Sequence, residues 1–250
     1  MKLIKDTHTH TYFSHGNNSV EEMVDEAYKK GLKGISITEH GHKHYYARKI
    51  TPDVYRQMRD EVLRMREKYP QMDITFGIEA NIIGVDGTID VEDEIIDLFD
   101  EISVGFHVLC GMKNLSSYIK IHLLAILSYR LHLKFFEKYS VKNCTKAVLN
   151  MLDKYDIYLM THPMSNYKFD LYTVAKKCVE KNTLLEINNP RGHLTVEHIK
   201  SIMDTGVKFA VGSDAHDKKD VANVANSFRI ITESKLSLDR VVNVEEYPNV

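Results

Sequence analysis

Seven short apolar runs punctuate the chain, and most end on a residue that binds metals or moves protons. Leu3-Ile4 leads into Asp6-Thr7-His8-Thr9-His10, and residues 34–40 close on Glu39-His40. Residues 74–79 end at Glu79, residues 102–107 at His107, and residues 157–162 at His162, which Pro163 follows. Residues 184–190 carry Glu186 inside the run, and residues 207–216 finish on Asp214 and His216. Runs of this length bounded by turn residues predict buried strands. Between them the apolar spacing changes to that of helices. Ser19 with Glu22 predicts a capping box ahead of Val20, Met23, Val24 and Ala27, and Gly31 stops that helix. Thr51-Pro52 opens a second helix with Tyr55, Met58, Val62, Met65 and Tyr69 inward. Further helices are predicted over residues 143–154, after the cap Asp170, and from Thr195 to Gly206. Residues 91–101 read as a short acidic helix, and residues 217–250 as a closing helix and tail. Alternating strands and helices predict a parallel sheet.

Side chains alternate faces along a strand, so His8 and His10 point the same way and can grip one cation. His15 follows after a short loop and can reach the same mouth. Loading the end of strand after strand with such residues is the pattern of a parallel α/β barrel, whose active site sits at the C-terminal ends of its strands. The expected fold is a distorted (β/α)7 TIM-like barrel. It is expected as a single domain over residues 1–250, with a helical rim insertion at about 108–146 after the fourth strand. Some fifty residues separate His107 from Ile157, more than a simple connection needs.

Four motifs, Asp6-Thr-His-Thr-His10, Thr38-Glu-His40, Thr161-His-Pro163 and Gly212-Ser-Asp-Ala-His216, resemble those of the PHP (polymerase and histidinol phosphatase) superfamily, in the same order. The resemblance runs from about residue 3 to 217. It implies a cluster of divalent ions, three in number, of zinc, manganese or iron. His8, His10, Glu79 and Asp214 would hold the first, Glu79, His107 and His162 the second, and His15, His40 and His216 the third. It also implies a free-standing metal-dependent phosphoesterase. The reading is a phosphatase on a small phosphomonoester, histidinol-phosphatase-like, acting by attack of a metal-bridging hydroxide. Glu79 and Asp214 are its catalytic carboxylates, and Arg191, in the loop after the sixth run, is the expected bidentate partner for phosphate. Glu186 is read as a partner that orients a ligand. His42 and His193 are the nominees for the leaving-group proton, and His42 and His44 are expected to line the mouth or face solvent rather than to bind metal.

Composition narrows this little further. Lys plus Arg number 33 against 35 Asp plus Glu, so no general pull toward nucleic acid exists. The basic segment 110–146 holds Lys113, Lys120, Arg130, Lys134, Lys138, Lys142 and Lys146 against Glu137 alone. It reads as a helical excursion with its lysines in water, or else as a basic lid for an anionic substrate or partner. A phosphodiesterase or nuclease is the alternative function. An amidohydrolase is disfavoured because no strand-end lysine is seen, and a scaffold because the ligand positions are filled. Cys110, Cys144 and Cys178 form no CxxC and are expected to be reduced thiols in a cytoplasmic protein. No membrane partner is expected.

Overall fold

The first apolar run splits between two sheets. The computed structural model describes residues 1–165, 167–190 and 193–246. In it β1 (Lys2–Leu3) pairs antiparallel with β9 (Val244–Glu245) near the other end of the chain. Beyond Ile4 the chain enters β2 (Lys5–Thr9), the first strand of the main sheet. β3 (Gly34–His40), β4 (Asp73–Asn81), β5 (Glu101–Gly105), β6 (Leu159–Met160), β7 (Leu184–Asn188) and β8 (Phe209–Gly212) follow side by side in chain order. Every neighbouring pair is parallel. The edges of this seven-stranded sheet meet. Thr9 bridges Ala215 in parallel, and His10 N–H donates to the Ala215 carbonyl at 2.8 Å. The buried Asp6 carboxylate accepts from the Ser213 and Ala222 N–H groups at 3.0 and 2.8 Å. The result is the distorted barrel-like sheet that the sequence predicts. Its irregularity lies at β6, which contributes two residues to the ladder on each side.

The helices wrap the outside through the apolar positions that their spacing marks. They are α1 (Val20–Lys29), α2 (Pro52–Lys68), α3 (Leu115–Ser117), α4 (Glu137–Lys154), α5 (Leu171–Lys181), α6 (Val196–Ser201) and α7 (Ala225–Ser234). Val20, Met23, Val24 and Ala27 of α1, and Tyr55, Met58, Val62 and Met65 of α2, are buried in one core with Ile35, Ile37, Ile74, Phe76 and Ile78 of the sheet. Each such side chain contributes about 1.5–3 kcal/mol on burial. The capping box forms in both directions, Glu22 N–H to Ser19 Oγ and Ser19 N–H to Glu22 Oε2. Thr51 makes no side-chain cap, and Pro52, at the first helical position, needs none. Among the described residues no helix is long and apolar enough to cross a membrane.

Three expectations change in detail. Residues 91–101 form no α-helix, only a 3₁₀ turn at Ile96–Leu98. Val91, Ile95 and Phe99 are all buried, and Asp100 N–H is held by the Phe76 carbonyl at 2.8 Å, so the segment is drawn onto the core as a turn-rich strap. The barrel helix α4 begins at Glu137 rather than near residue 143. The closing segment after α7 pairs with β1 as β9 instead of trailing as a tail, residues 247–250 lying outside those described.

The insertion follows β5, the fourth barrel strand. It runs through α3, two stretches of π-helical turns at Tyr118–Leu123 and Ile126–Arg130, and a 3₁₀ turn at Lys134–Phe136. Ile121 and Ala125 seat it on the core, and the His122 ring ties it down between the Tyr167 hydroxyl and the Cys110 carbonyl. Lys113, Lys120, Lys134, Lys138, Lys142 and Lys146 are all exposed, as a solvated face requires.

Candidate metal centre

Glu79 lies at the middle of the C-terminal mouth and is fully buried. Alternation along β4 turns it inward beside Glu39-His40 of β3, with which it is in register. Five imidazoles surround its two oxygens: His162 Nε2 and His40 Nδ1 at 2.8 Å, His107 Nε2 at 3.4 Å, His8 Nε2 at 3.5 Å and His10 Nε2 at 3.6 Å. Burial alone would raise this carboxyl, but His107, His8, His40 and His162 hold it well below the usual range. Asp214 sits opposite, its Oδ1 3.5 Å from His10, 3.7 Å from His8 and 3.7 Å from His216. Burial opposes its ionisation too, and His8 and His10 overcome it.

The backbone is bent to aim two of these groups. His162 and Asp214 lie at φ 28° and 53°, in the left-handed region that non-glycine residues avoid. Such conformations cost on the order of 1–3 kcal/mol and gather at functional sites. Thr-His-Pro and Ser-Asp-Ala-His are thus turn-forming ligand bearers rather than strand.

Buried, unpartnered imidazole nitrogens crowd the rest of the mouth. Burial, then His216, push His10 down to about 3. Burial and His216 likewise bring His15 to about 4. Burial and His107 bring His44 to about 3. His10 Nδ1, His15 Nδ1, His44 Nδ1 and His216 Nε2 are buried with no hydrogen-bond partner among the described residues. Left so, each costs the desolvation of a polar group. A divalent cation is the partner that nitrogen and carboxylate donors without thiolates fit. Four groups place their ligand atoms within 4.8 Å of one another and can hold an ion: His8, His10 and Asp214; Glu79, His107 and His162; His10, His40 and His216; and His40, His44 and His107.

Of the nine expected ligand positions, eight fall into these groups. His15 joins none, but its ring stacks 4.9 Å from that of His40 and lies tilted 4.1 Å from that of His216. Arg191 lies outside the described residues. His193 lines the cavity, whereas His42 stands aside with its Nε2 4.0 Å from Glu92. Among the described residues no lysine or arginine lines the cavity.

A second ring of residues fixes the imidazoles. Glu186 takes His8 Nδ1 at 2.8 Å and the His162 N–H at 2.5 Å, the orienting part read for it in the sequence. Gly212 makes room for this: a Cβ there would sit 2.2 Å from Glu186 Oε1. Glu39, pushed up to about 7 by burial, accepts from the Thr11 N–H and the Thr11 and Ser14 hydroxyls, and so pins the loop that presents His15. Asn188 Nδ2 lies 3.4 Å from Asp214 Oδ2. Asn81 and Asp90 are the partners that the sequence reading missed. The buried Asp90 carboxylate accepts from Asn81 N–H at 2.6 Å and from Asn81 Nδ2 at 2.7 Å. That leaves Asn81 Oδ1 to accept from His107 Nδ1 at 2.6 Å, so Nε2 is the His107 nitrogen turned to Glu79. Asn81 is two residues past Glu79 on one strand, so alternation alone could have placed it on the same face. Asn81→Ala is expected to weaken divalent-ion binding about 10–100-fold, read by chelator competition. Wild-type affinity in that variant would remove Asn81 from the orienting shell.

A PHP domain model matches residues 6–190, and the chain belongs to that family. It is 27% identical over 263 residues to a probable phosphatase of Thermoanaerobacter sp. strain X514, covering 98% of this chain and 92% of that one. A probable phosphatase of Caldicellulosiruptor saccharolyticus is 28% identical over 260 residues, covering 97% and 92%. Among solved structures, histidinol phosphate phosphatase from Lactococcus lactis, crystallised with zinc, L-histidinol and phosphate, superposes with a TM-score of 0.63 at 14% identity, covering 94% of this chain and 95% of that one. Family and clustered ligands together make this protein a metal-dependent phosphoesterase.

Proposed function

We propose that the protein is a phosphatase of small phosphomonoesters, working with a cluster of three divalent ions of zinc, manganese or iron. The observation that carries the substrate size is the cavity. It measures about 310 Å³, at the lower end for ligand sites, and opens directly over the clustered ligands between Tyr46, Val108, Leu109 and His193. A polyanion would meet no described lysine or arginine there. The names of the curated relatives point the same way.

His8, His10, Glu79 and Asp214 would hold one ion, Glu79, His107 and His162 a second, and His15, His40 and His216 a third. Ions bound there supply Lewis acidity, which neutralises phosphoryl charge and acidifies water at the site. The chain's own part is placement. Glu79 balances the positive charge of the centre from within a buried setting. Glu186 and Asn81 hold His8 and His107 in the tautomers that turn Nε2 inward. Tyr46 stacks on His15 at 4.7 Å and forms the outer wall with Val108 and Leu109, against which the leaving group rests. Arg191 remains the proposed clamp for the outer phosphoryl oxygens.

The test compares p-nitrophenyl phosphate with bis(p-nitrophenyl) phosphate on manganese- or zinc-loaded protein, with Asp214→Ala as the control. The monoester is expected to turn over faster and the control to fail on both. A diester preference would replace the phosphatase reading with a phosphodiesterase.

A further inference from the structure

His44 stands outside the nine positions that the family resemblance supplies, yet it is held as firmly as they are. It is 5% exposed, and its ring lies 3.9 Å from that of His40 and 5.0 Å from that of His107. It lines the same cavity, and its Nδ1 is buried without a hydrogen-bond partner among the described residues. A buried histidine that serves packing finds partners for its ring nitrogens. His122 in the rim insertion does so on both sides, with the Tyr167 hydroxyl and the Cys110 carbonyl.

The backbone around His44 is clamped. Tyr45 N–H donates to the Leu109 carbonyl at 2.7 Å, and Gly111 N–H donates to the Lys43 carbonyl at 3.0 Å. Lys43 N–H donates to Asp90 Oδ2 at 3.1 Å, the carboxylate that also orients His107 through Asn81. Gly41 permits this approach, since a Cβ there would meet Asp90 Oδ1 at 2.2 Å. Two loops, one after β3 and one after β5, are thus stitched together so that His44 faces His107.

We propose that His44 is itself a metal ligand, forming with His40 and His107 an all-nitrogen seat for a divalent cation at the outer edge of the centre. The ligand atoms of the three lie within 4.8 Å of one another. Three imidazoles suit zinc, iron, copper or nickel better than magnesium or calcium. His107 also belongs to the group with Glu79 and His162, and His40 to the group with His10 and His216. The seat is therefore a second position for an ion of the centre, placed where the cavity meets solvent.

The inference rests on the metal-centre reading, and the experiment separates the two. His44→Phe keeps the ring volume and the stack on His40 but deletes both nitrogens. In the full-length chain it is expected to release its most weakly held zinc at lower chelator concentration than wild type, by about 10-fold or more, while unfolding at the wild-type temperature when metal-free. Anomalous diffraction from zinc-loaded wild-type crystals is expected to place an ion at coordination distance from a His44 nitrogen. Unchanged zinc affinity in His44→Phe, or a map with every ion out of reach of His44, would overturn the proposal while leaving the rest of the centre standing. A wild-type chain that binds no zinc, manganese or iron would overturn both.

Discussion

Glu79→Gln is expected to empty the centre and stop hydrolysis. The substitution keeps the shape of the side chain and removes the one charge that five imidazoles face. Breaking a buried charge arrangement by deleting one partner costs roughly 3–5 kcal/mol. Taken as lost ion affinity, that is about 10²- to 4 × 10³-fold. The loss is read as metal content after dialysis and as kcat/KM with saturating metal in the assay. Because Glu79 is proposed to serve two of the ions, the variant should lose more than one ion per chain. Glu79→Asp retains the charge but shortens its reach, so it should fall between the two. A glutamine variant with wild-type metal content and rate would mean that Glu79 serves only to hold the apo site together.

The second large effect is the coupling of metal to protons. His8 is raised well above its ordinary range: burial pulls it down, but Glu186, Glu79 and Asp214 outweigh burial. His162 is raised as well, burial again opposed by Glu79. In the metal-free chain both therefore hold protons near neutral pH, whereas His10 and His15, at about 3 and about 4, do not. A cation needs the neutral ligand, so loading must expel the protons on His8 and His162. The sign follows: binding releases protons, affinity rises with pH, and acid weakens ion binding. Calorimetric titration in two buffers of different ionisation enthalpy reads the released protons. An ion at a hundred times its Kd adds about 2.7 kcal/mol of stability. For a chain of this size chelation should then lower Tm by about 5–10 °C. Chelation that leaves both Tm and rate unchanged would rule out a resident metal.

The sequence was legible wherever a local rule places a side chain. Period-two alternation put His8 and His10 on one face, and the ends of β3, β4 and β5 carry His40, Glu79 and His107 to the same mouth. The helix faces of α1 and α2 followed from spacing alone. What escaped depends on contacts distant along the chain. The burial of His44 could not be read locally because it comes from a loop more than sixty residues later, through Tyr45 to Leu109. Asp90 looked like one acid among many, since nothing in its neighbours announces the amide of Asn81. The short helix expected over residues 91–101 failed for a related reason: the segment is tied to β4 at both ends, Asp90 N–H by the Asn81 carbonyl at 3.1 Å and Asp100 N–H by the Phe76 carbonyl at 2.8 Å. The mouth-lining role expected of His44 was right in place, and the burial of its unpartnered nitrogen was what a sequence could not reveal.

The closure of the sheet sets an order of events. Thr9 meets Ala215, and Asp6 meets Ser213 and Ala222, only when both ends of the chain are made. Contacts this far apart in sequence carry the loop-closure cost of nearly the whole chain. A nascent chain that has reached α5 already carries seven of the nine expected ligands but lacks the strand that brings Asp214 and His216. A chain cut short before β8 would hold the five imidazoles that face Glu79 but lack Asp214 and His216, and it would leave the Thr9 edge of the sheet without its partner.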